Sequence, residues 1–405
     1  MDVKDKRDKM DKKAESILEL SKAEKITLAE NAPLLSHYFH NLGTSSEKHY
    51  AKLLKDAHLD PALVRYYESE HKVSNKFATK NEEFTFIDLF AGIGGMRLGA
   101  QANGGRCVFS SEWDKYSQLT YDANFGEVPF GDITKIDEKD IPAHDFLMAG
   151  FPCQTFSIAG KRAGFSDTRG TMFFEVARIL AKHRPASFML ENVKGLVGHD
   201  KGRTLKTILS VLRDDLGYTV PDPKVLNSKN FGVPQNRERI FIVGFLDPKH
   251  AENYVYPKGK PSVATVADIL EKKEVSAKYY LSTQYLKTLE NHKARHAAKG
   301  NGFGYQVLDP KGISSAVIVG GMGLERNLVL DKRLKDFTPV TKIIGGINKE
   351  YIRRLTPREC GRLQGFPEKL VIPVSDAQAY KQFGNSVTVP AIAAVVKSIR
   401  KAMEK

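Results

Sequence analysis

Cysteine is scarce. The 405 residues contain three, Cys107, Cys153 and Cys360, set far apart with no C-x-x-C pair and no histidine at metal-ligand spacing. That scarcity excludes a disulfide framework and a zinc site, so the metal expectation is none. No apolar run approaches the roughly 18 residues that span a bilayer, and the opening MDVKDKRDKMDKKAES has no apolar stretch of the kind a secretory signal needs. A cytoplasmic location is the expectation. Acidic residues are in the minority, 48 against 62 Lys plus Arg, which leaves a net charge of +14. An excess of that size implies a polyanionic partner, most commonly DNA or RNA. Tryptophan occurs once, at position 113, and no internal repeat is evident.

What is present changes character along the chain. Residues 1–80 are charged and helix-prone without strand-like alternation, and Leu34 to Tyr67 has the pattern of a small helical bundle. From Phe84 the runs FTFIDLF, RCVFSSEW, HDFLMAG, ASFMLENV and RIFIVGF alternate with TMFFEVARILAKH and GRTLKTILSVLRDDL, whose apolar residues recur at three and four. This rhythm predicts an α/β fold with a doubly wound, mostly parallel sheet over 81–256. After Tyr256 it stops, and 257–350 reads as a smaller, basic second domain. Residues 351–381 read as a hinge or support, and 382–405 as the return of the chain to the sheet, with a closing helix from about Thr388.

The first strand delivers DLFAGIGG into a helix, where Gly92, Gly94 and Gly95 let the backbone approach a ligand at the switch point of the sheet. A dinucleotide fingerprint wants glycine at 97, and Arg97 stands there, which weakens a nicotinamide oxidoreductase reading. The second run ends in Glu112-Trp113, about one βαβ unit downstream, where the carboxylate can accept from ribose hydroxyls and the indole can stack on adenine. Asp132-Ile133, ending a third strand-like run, is positioned for the adenine amine. A ribose and an adenine without a pyrophosphate suggest S-adenosyl-L-methionine.

HDFLMAG is a strand, so GFPCQTFSIAG emerges at its carboxyl end, with the Cys153 thiol in a loop of small residues behind Pro152. A fifth strand ends in ENV and brings the Glu191 carboxyl to the same edge. QNRER opens the last strand and puts Arg237 and Arg239 at alternate positions on one face. A thiolate, a carboxyl able to hydrogen-bond a ring nitrogen and guanidiniums that stabilise anions together suit attack on an electron-poor ring.

The ordered blocks DLFAGIGG, GFPCQTFS, ENV, QNRERI, RRLTPRECGRLQGFP and QFGNSVTVP resemble the motif series of bacterial cytosine-C5 DNA methyltransferases, over residues 84–250 and 351–400. The resemblance implies a class I, Rossmann-like methyltransferase that uses S-adenosyl-L-methionine. It implies that Cys153 adds to C6 of a cytosine extruded from duplex DNA and that Glu191 contacts N3 and the amino group. Gln154 and Ser157 would face the extruded nucleotide or its gap, and Arg237 and Arg239 would hold the base and its phosphate. Phe90, Glu112, Trp113, Asp132 and Ile133 would line the cofactor pocket, completed by Pro152, Asn385 and Ser386. Ala159 departs from the serine some relatives carry. RRLTPRECGRLQGFP is assigned support of the second domain, with Thr356-Pro357-Arg358-Glu359 as a helix start and Cys360 in the core.

The resemblance places a target-recognition domain between about 257 and 348. Within it ISSAVIVGGMGLERNLV carries Gly320, Gly321 and Gly323, and Arg326 is a candidate for bidentate pairing with guanine. GGMGLERN is similar to enzymes of CCGG-like or CCWGG-like sites, although Ile313-Ser314 stands where many relatives carry threonine-leucine. Lys258, Lys260, Arg326, Lys332 and Arg333 are expected on phosphates. Residues 1–80 are expected to add DNA affinity or stability without chemistry. Methylation of tRNA and a catalytically silent DNA-binding relative are the alternatives; a monomer, and a cognate endonuclease acting on the same site, are what the family suggests.

Overall fold

A computed structural model describes residues 20–71, 74–78, 81–152, 172–300, 302, 304–319 and 325–404. The chain divides into two compact units, Met1–Val73 and Ser74–Lys405.

Among its described residues the first unit has three helices, α1 (Lys22–His40), α2 (Glu47–Asp56) and α3 (Pro61–Glu70). Helix α1 starts earlier than the Leu34 expected. Ser21 and Glu24 cap it reciprocally, and Pro33 sits inside it without ending it. Leu28, Leu35, Leu63 and Tyr67 form its core. Residues 1–73 hold 13 Lys plus Arg against 13 Asp plus Glu, so the whole +14 excess falls in the second unit.

The second unit is built on β1 (Phe84–Leu89), α4 (Gly95–Gln101), β2 (Gly105–Ser111), α5 (Lys115–Phe125), β3 (Phe146–Ala149), α6 (Met172–His183), β4 (Ser187–Val193), α7 (Arg203–Ser210), β5 (Lys224–Asn227), β6 (Gln235–Asn236) and β7 (Glu238–Phe245). The main sheet has the order β2-β1-β3-β4-β7-β5. Strands β1 to β4 pair in parallel, while β7 runs antiparallel to both β4 and β5. Alternation along each strand gives the sheet two apolar faces. Ile87, Leu89, Leu147 and Leu190 meet Val176 and Ile179 of α6 and Ile208 of α7 on one side. Phe86, Met148, Met189 and Val243 meet Met96 of α4 and the closing helix on the other.

The third strand-like run does not form a strand. Phe130 makes only an isolated bridge to Ser111, Pro129 has no amide to give to a ladder, and Asp132 caps a 3-10 turn over Ile133–Lys135. Glu191 therefore lies on the fourth strand, not the fifth.

Beyond β7 come α8 (Pro248–Asn253), α9 (Val266–Ile269), α10 (Thr283–Ala297), β8 (Gln306–Val307), β9 (Ser314–Ser315), β10 (Asn327–Leu330), β11 (Ile352–Arg354), α11 (Pro357–Leu363), α12 (Asp376–Asn385) and α13 (Val389–Met403). The 15-residue α10 stands in a region whose sequence has no clear helical rhythm, because its two buried leucines, Leu286 and Leu289, leave too narrow an apolar stripe. Strands β11-β10-β8 form a second sheet, and β6 pairs with β9. Helix α11 starts as expected, with Thr356 and Glu359 forming a capping box and Pro357 in its first turn. Cys360 is buried on it, its thiol pKa pushed up by that burial. Helix α13 begins after Thr388 as expected. Among the described residues no helix is long and apolar enough to cross a membrane, and no cluster of three metal-ligating side chains occurs.

Candidate active site

The reversed direction of β7 brings the acid and the guanidinium together. The start of an antiparallel strand lies at the carboxyl edge of its parallel neighbours, where β4 ends. In register, Val193 faces Arg239 and Glu191 faces Phe241, which makes Glu191 and Arg239 diagonal neighbours on one face. Arg239 Nε lies 3.1 Å from Glu191 Oε1. The two charges touch, yet Oε1 receives no aligned hydrogen bond among the described residues. Burial raises the pKa of Glu191, and Arg239 and Arg237 oppose it without cancelling it. The result is a buried carboxyl that keeps its proton more readily than a surface glutamate.

Arg237 falls between β6 and β7, outside the ladder, and its Nη1 donates to the Val317 carbonyl at 2.7 Å. Its Nη2 donates to the carbonyls of Gly384, at 3.3 Å, and Ser386. With 2% exposure it is a strut between the sheet and two other segments. Burial, then the neighbouring Arg239, lowers its pKa. Both of its terminal nitrogens are engaged by backbone carbonyls, which gives it a structural tie beside the expected role on base or phosphate.

Cys153, Gln154 and Ser157 lie outside the described residues. The approach to them is fixed by Asn192, a residue to which the sequence reading gave no role. Its Nδ2 donates to the Phe151 carbonyl at 2.9 Å, and its Oδ1 accepts from the Val193 amide at 2.8 Å. Pro152 is exposed.

On the cofactor side the three glycines do different work. Gly92 and Gly94 have φ of 55° and 81°. A Cβ on Gly94 would stand 2.2 Å from the Phe125 ring, and one on Gly95 would stand 2.8 Å from Val387 and 3.0 Å from the Ser386 hydroxyl. Neither position has room for a side chain. A Cβ on Gly92 would meet nothing within 4 Å, so that position faces open space. Phe90 also has positive φ, 57°, which is strained for an aromatic residue.

Glu112 closes the turn, its Oε2 accepting from the Gly92 amide and its Oε1 from Asp114, both at 2.8 Å. Burial raises its pKa. Trp113 is 81% exposed beside it. Asp132 spends Oδ1 on both the amide and the hydroxyl of Thr134, and Ile133 is buried. Asn385 is exposed, and Ser386 packs on Gly95 from the opposite end of the chain.

A buried polar network joins three of the quoted blocks. Gln235 Nε2 donates to the Leu363 carbonyl, Gln364 Nε2 donates to the Phe383 carbonyl, and Thr388 donates to Gln364 Oε1. The glutamines of QNRER and LQGFP were the signal for it. Arg353, fully buried, binds Glu359 through Nη1 and Nη2 and Asp331 through Nε, each at 2.8 Å. Arg333 is clamped by Asp331 and the Glu271 carbonyl, which takes it out of the expected phosphate set. Arg326 is exposed just before β10.

The residues fit S-adenosyl-L-methionine. Open space over Gly92, the Glu112 carboxylate hydrogen-bonded to its amide and the uncovered Trp113 indole suit an adenosyl group. A sheet with its last-entering strand reversed, opening on such a turn after β1, defines the α/β methyltransferase class. Within that class the chain belongs to the family of C-5 cytosine-specific DNA methylases, whose model matches residues 84–401.

The chain is 63% identical over 350 residues to Type II methyltransferase M.HpaII of Haemophilus parainfluenzae, covering 85% of this chain and 98% of that one. It is 40% identical over 312 residues to Type II methyltransferase M.HhaI of Haemophilus parahaemolyticus, covering 75% and 90%. The crystal structure of S. pombe Dnmt2 methyltransferase shares the fold at a TM-score of 0.59 and 18% identity, covering 80% of this chain and all of that one. The protein is a DNA cytosine-C5 methyltransferase whose cofactor is S-adenosyl-L-methionine. The tRNA and silent-binder alternatives find no support in these relatives.

Proposed function

We propose that Cys153 is the nucleophile and Glu191 the acid of this reaction, on a cytosine extruded from a short, specific duplex sequence. The observation that carries this is the buried Glu191 carboxyl, its pKa raised by burial, held 3.1 Å from Arg239 at the carboxyl edge of the sheet. A stacked base hides C5 and C6, so the base must leave the helix first. The Cys153 thiolate then adds to C6 while the Glu191 proton meets N3, which moves an electron pair to C5. S-adenosyl-L-methionine supplies the electrophilic methyl group. Loss of the C5 proton and departure of Cys153 from C6 restore the aromatic ring. Arg239 orients Glu191, and Arg237 supports the site from behind.

Glu112 accepts from the ribose, Trp113 stacks on adenine and the remaining oxygen of Asp132 accepts from its amine. Phe90, Gly92, Ile133, Pro152, Asn385 and Ser386 line the same pocket, with Gly94 and Gly95 shaping it. Gln154 and Ser157 face the extruded nucleotide or the gap it leaves. Residues 257–350 form the recognition domain, with Arg326 reading guanine in a CCGG-like or CCWGG-like site. The enzyme acts as a monomer beside an endonuclease of the same site, a pairing that its likeness to Type II methyltransferases supports.

Incubation with unmethylated plasmid and cofactor, followed by conversion sequencing of every cytosine, tests the reading. Methylation confined to one short motif is expected. Methylation scattered without a motif would overturn the assignment of a recognition domain.

A further inference from the structure

The recognition region contains a cationic helix. Residues 283–300, spanning α10 and the turn after it, hold Lys287, Lys293, Arg295 and Lys299 against a single acid, Glu290. Leu286 and Leu289 bury one side of the helix. Lys287, Arg295 and Lys299 are exposed, and among the described residues none of them is in an ion pair. Lys287, Asn291 and Arg295 recur every four residues, which sets them in one row along the helix, and Lys299 follows in the turn at its end. At 1.5 Å per residue the helical part of the row is about 12 Å long. Duplex DNA carries one phosphate per 3.4 Å of axis on each strand, so such a row runs beside about three to four phosphates.

Two contacts fix where this row lies. Lys293 sits over the Tyr305 ring at 4.9 Å and packs against Gly304. Tyr305 precedes Gln306, whose amide donates to the Arg326 carbonyl at 3.2 Å. Nearer the start of the helix, Tyr285 lies under Arg354 at 5.6 Å, and Arg354 pairs with Glu325 at 3.0 Å. Both ends of α10 are therefore tied to the residues on either side of the 325–326 corner, where the candidate base-reading arginine emerges. The exposed row continues that edge outward.

We propose that α10 is a backbone clamp that binds the phosphates of duplex DNA flanking the recognition sequence. It adds affinity and orientation without reading bases. The inference rests on the recognition-domain reading of 257–350. It also accounts for part of the positive excess, all of which lies outside the N-terminal unit.

The test is the triple variant Lys287→Gln, Arg295→Gln, Lys299→Gln in the full chain, with duplex affinity measured across a salt series. Two duplexes are compared, one ending at the motif and one extended on both sides. Each lost phosphate contact lowers the slope of log affinity against log salt by about 0.9. Three lost contacts mean that between 50 and 200 mM salt the wild-type affinity for the extended duplex falls about 40-fold further than the variant's. The variant is expected to keep its kcat at saturating DNA and its methylation motif, and to lose the wild-type preference for the extended duplex. An unchanged salt slope together with an unchanged preference would overturn the clamp. Unaltered motif choice and affinity in Arg326→Ala would instead count against the recognition-domain reading, so the two failures are distinguishable.

Discussion

Replacement of Asn192 by alanine separates positioning from folding. Asn192 is 4% exposed, and its amide group bridges the Phe151 carbonyl, at 2.9 Å, to the Val193 amide, at 2.8 Å. Phe151 stands two residues before Cys153, and Val193 two residues after Glu191. One side chain thus ties the chain two residues before the proposed nucleophile to the end of the strand that carries the proposed acid. Alanine removes both hydrogen bonds and leaves a buried carbonyl unpaired, a cost of about 1–3 kcal/mol in stability. If release of the loop displaces the thiol by about 1 Å, the rate falls about 100-fold, equivalent to ~2.7 kcal/mol of barrier.

The measurement is single-turnover methylation at saturating duplex and cofactor, beside cofactor affinity and thermal midpoint. The expected result is a rate loss on the order of 100-fold, with cofactor affinity held within a factor of ~2. Asn192→Asp keeps the acceptor for Val193 but turns an oxygen toward the Phe151 carbonyl, and should not rescue the rate. A lowered midpoint with an unaltered rate in both variants would refute the positioning role.

Three further outcomes are expected. Gly94→Ala combines positive φ with a Cβ 2.2 Å from Phe125, and should cost about 2–5 kcal/mol, measured by urea unfolding. His144 is buried with its pKa lowered by that burial to about 4 from 6.5. Between those values the unfolded chain binds the extra proton, so stability is lost as pH falls from 6.5 to 4, by up to about 3 kcal/mol. His144→Gln should flatten that limb of the urea midpoint against pH, and an unchanged limb would reject the assignment. Asp331→Asn removes a charge shared by Arg333 and the fully buried Arg353, and should cost about 3–5 kcal/mol in the same unfolding assay.

The sheet was readable because each strand is a short apolar run and each crossover helix keeps its three-and-four spacing. Direction was not readable. RIFIVGF reads the same whether it enters parallel or reversed, and only the structure shows that reversal brings Arg239 beside Glu191. EVPFGDI looked like a strand because β-propensity scores side chains and not the missing amide of Pro129. Arg237 looked like a twin of Arg239, since alternate spacing predicts a shared face only inside a regular ladder, and Arg237 precedes it. Helix α10 hid because most of it is polar. Asn192 and the Gln235–Gln364–Thr388 network were visible as residues but not as contacts, because the network's partners are 19 to 129 positions apart and Phe151 is 41 from Asn192.

The central claim is that Cys153 bonds to the cytosine. Its most direct test is a duplex carrying 5-fluorocytosine in the methylated position, where the absent C5 proton blocks release after methyl transfer. Mass spectrometry of the trapped complex should find one methylated nucleotide on the peptide containing Cys153, and no complex with Cys153→Ser. A complex mapped to Cys107 or Cys360, both buried with thiols whose pKa burial raises, would contradict the account. So would efficient methylation of ordinary cytosine with no trapped complex at all.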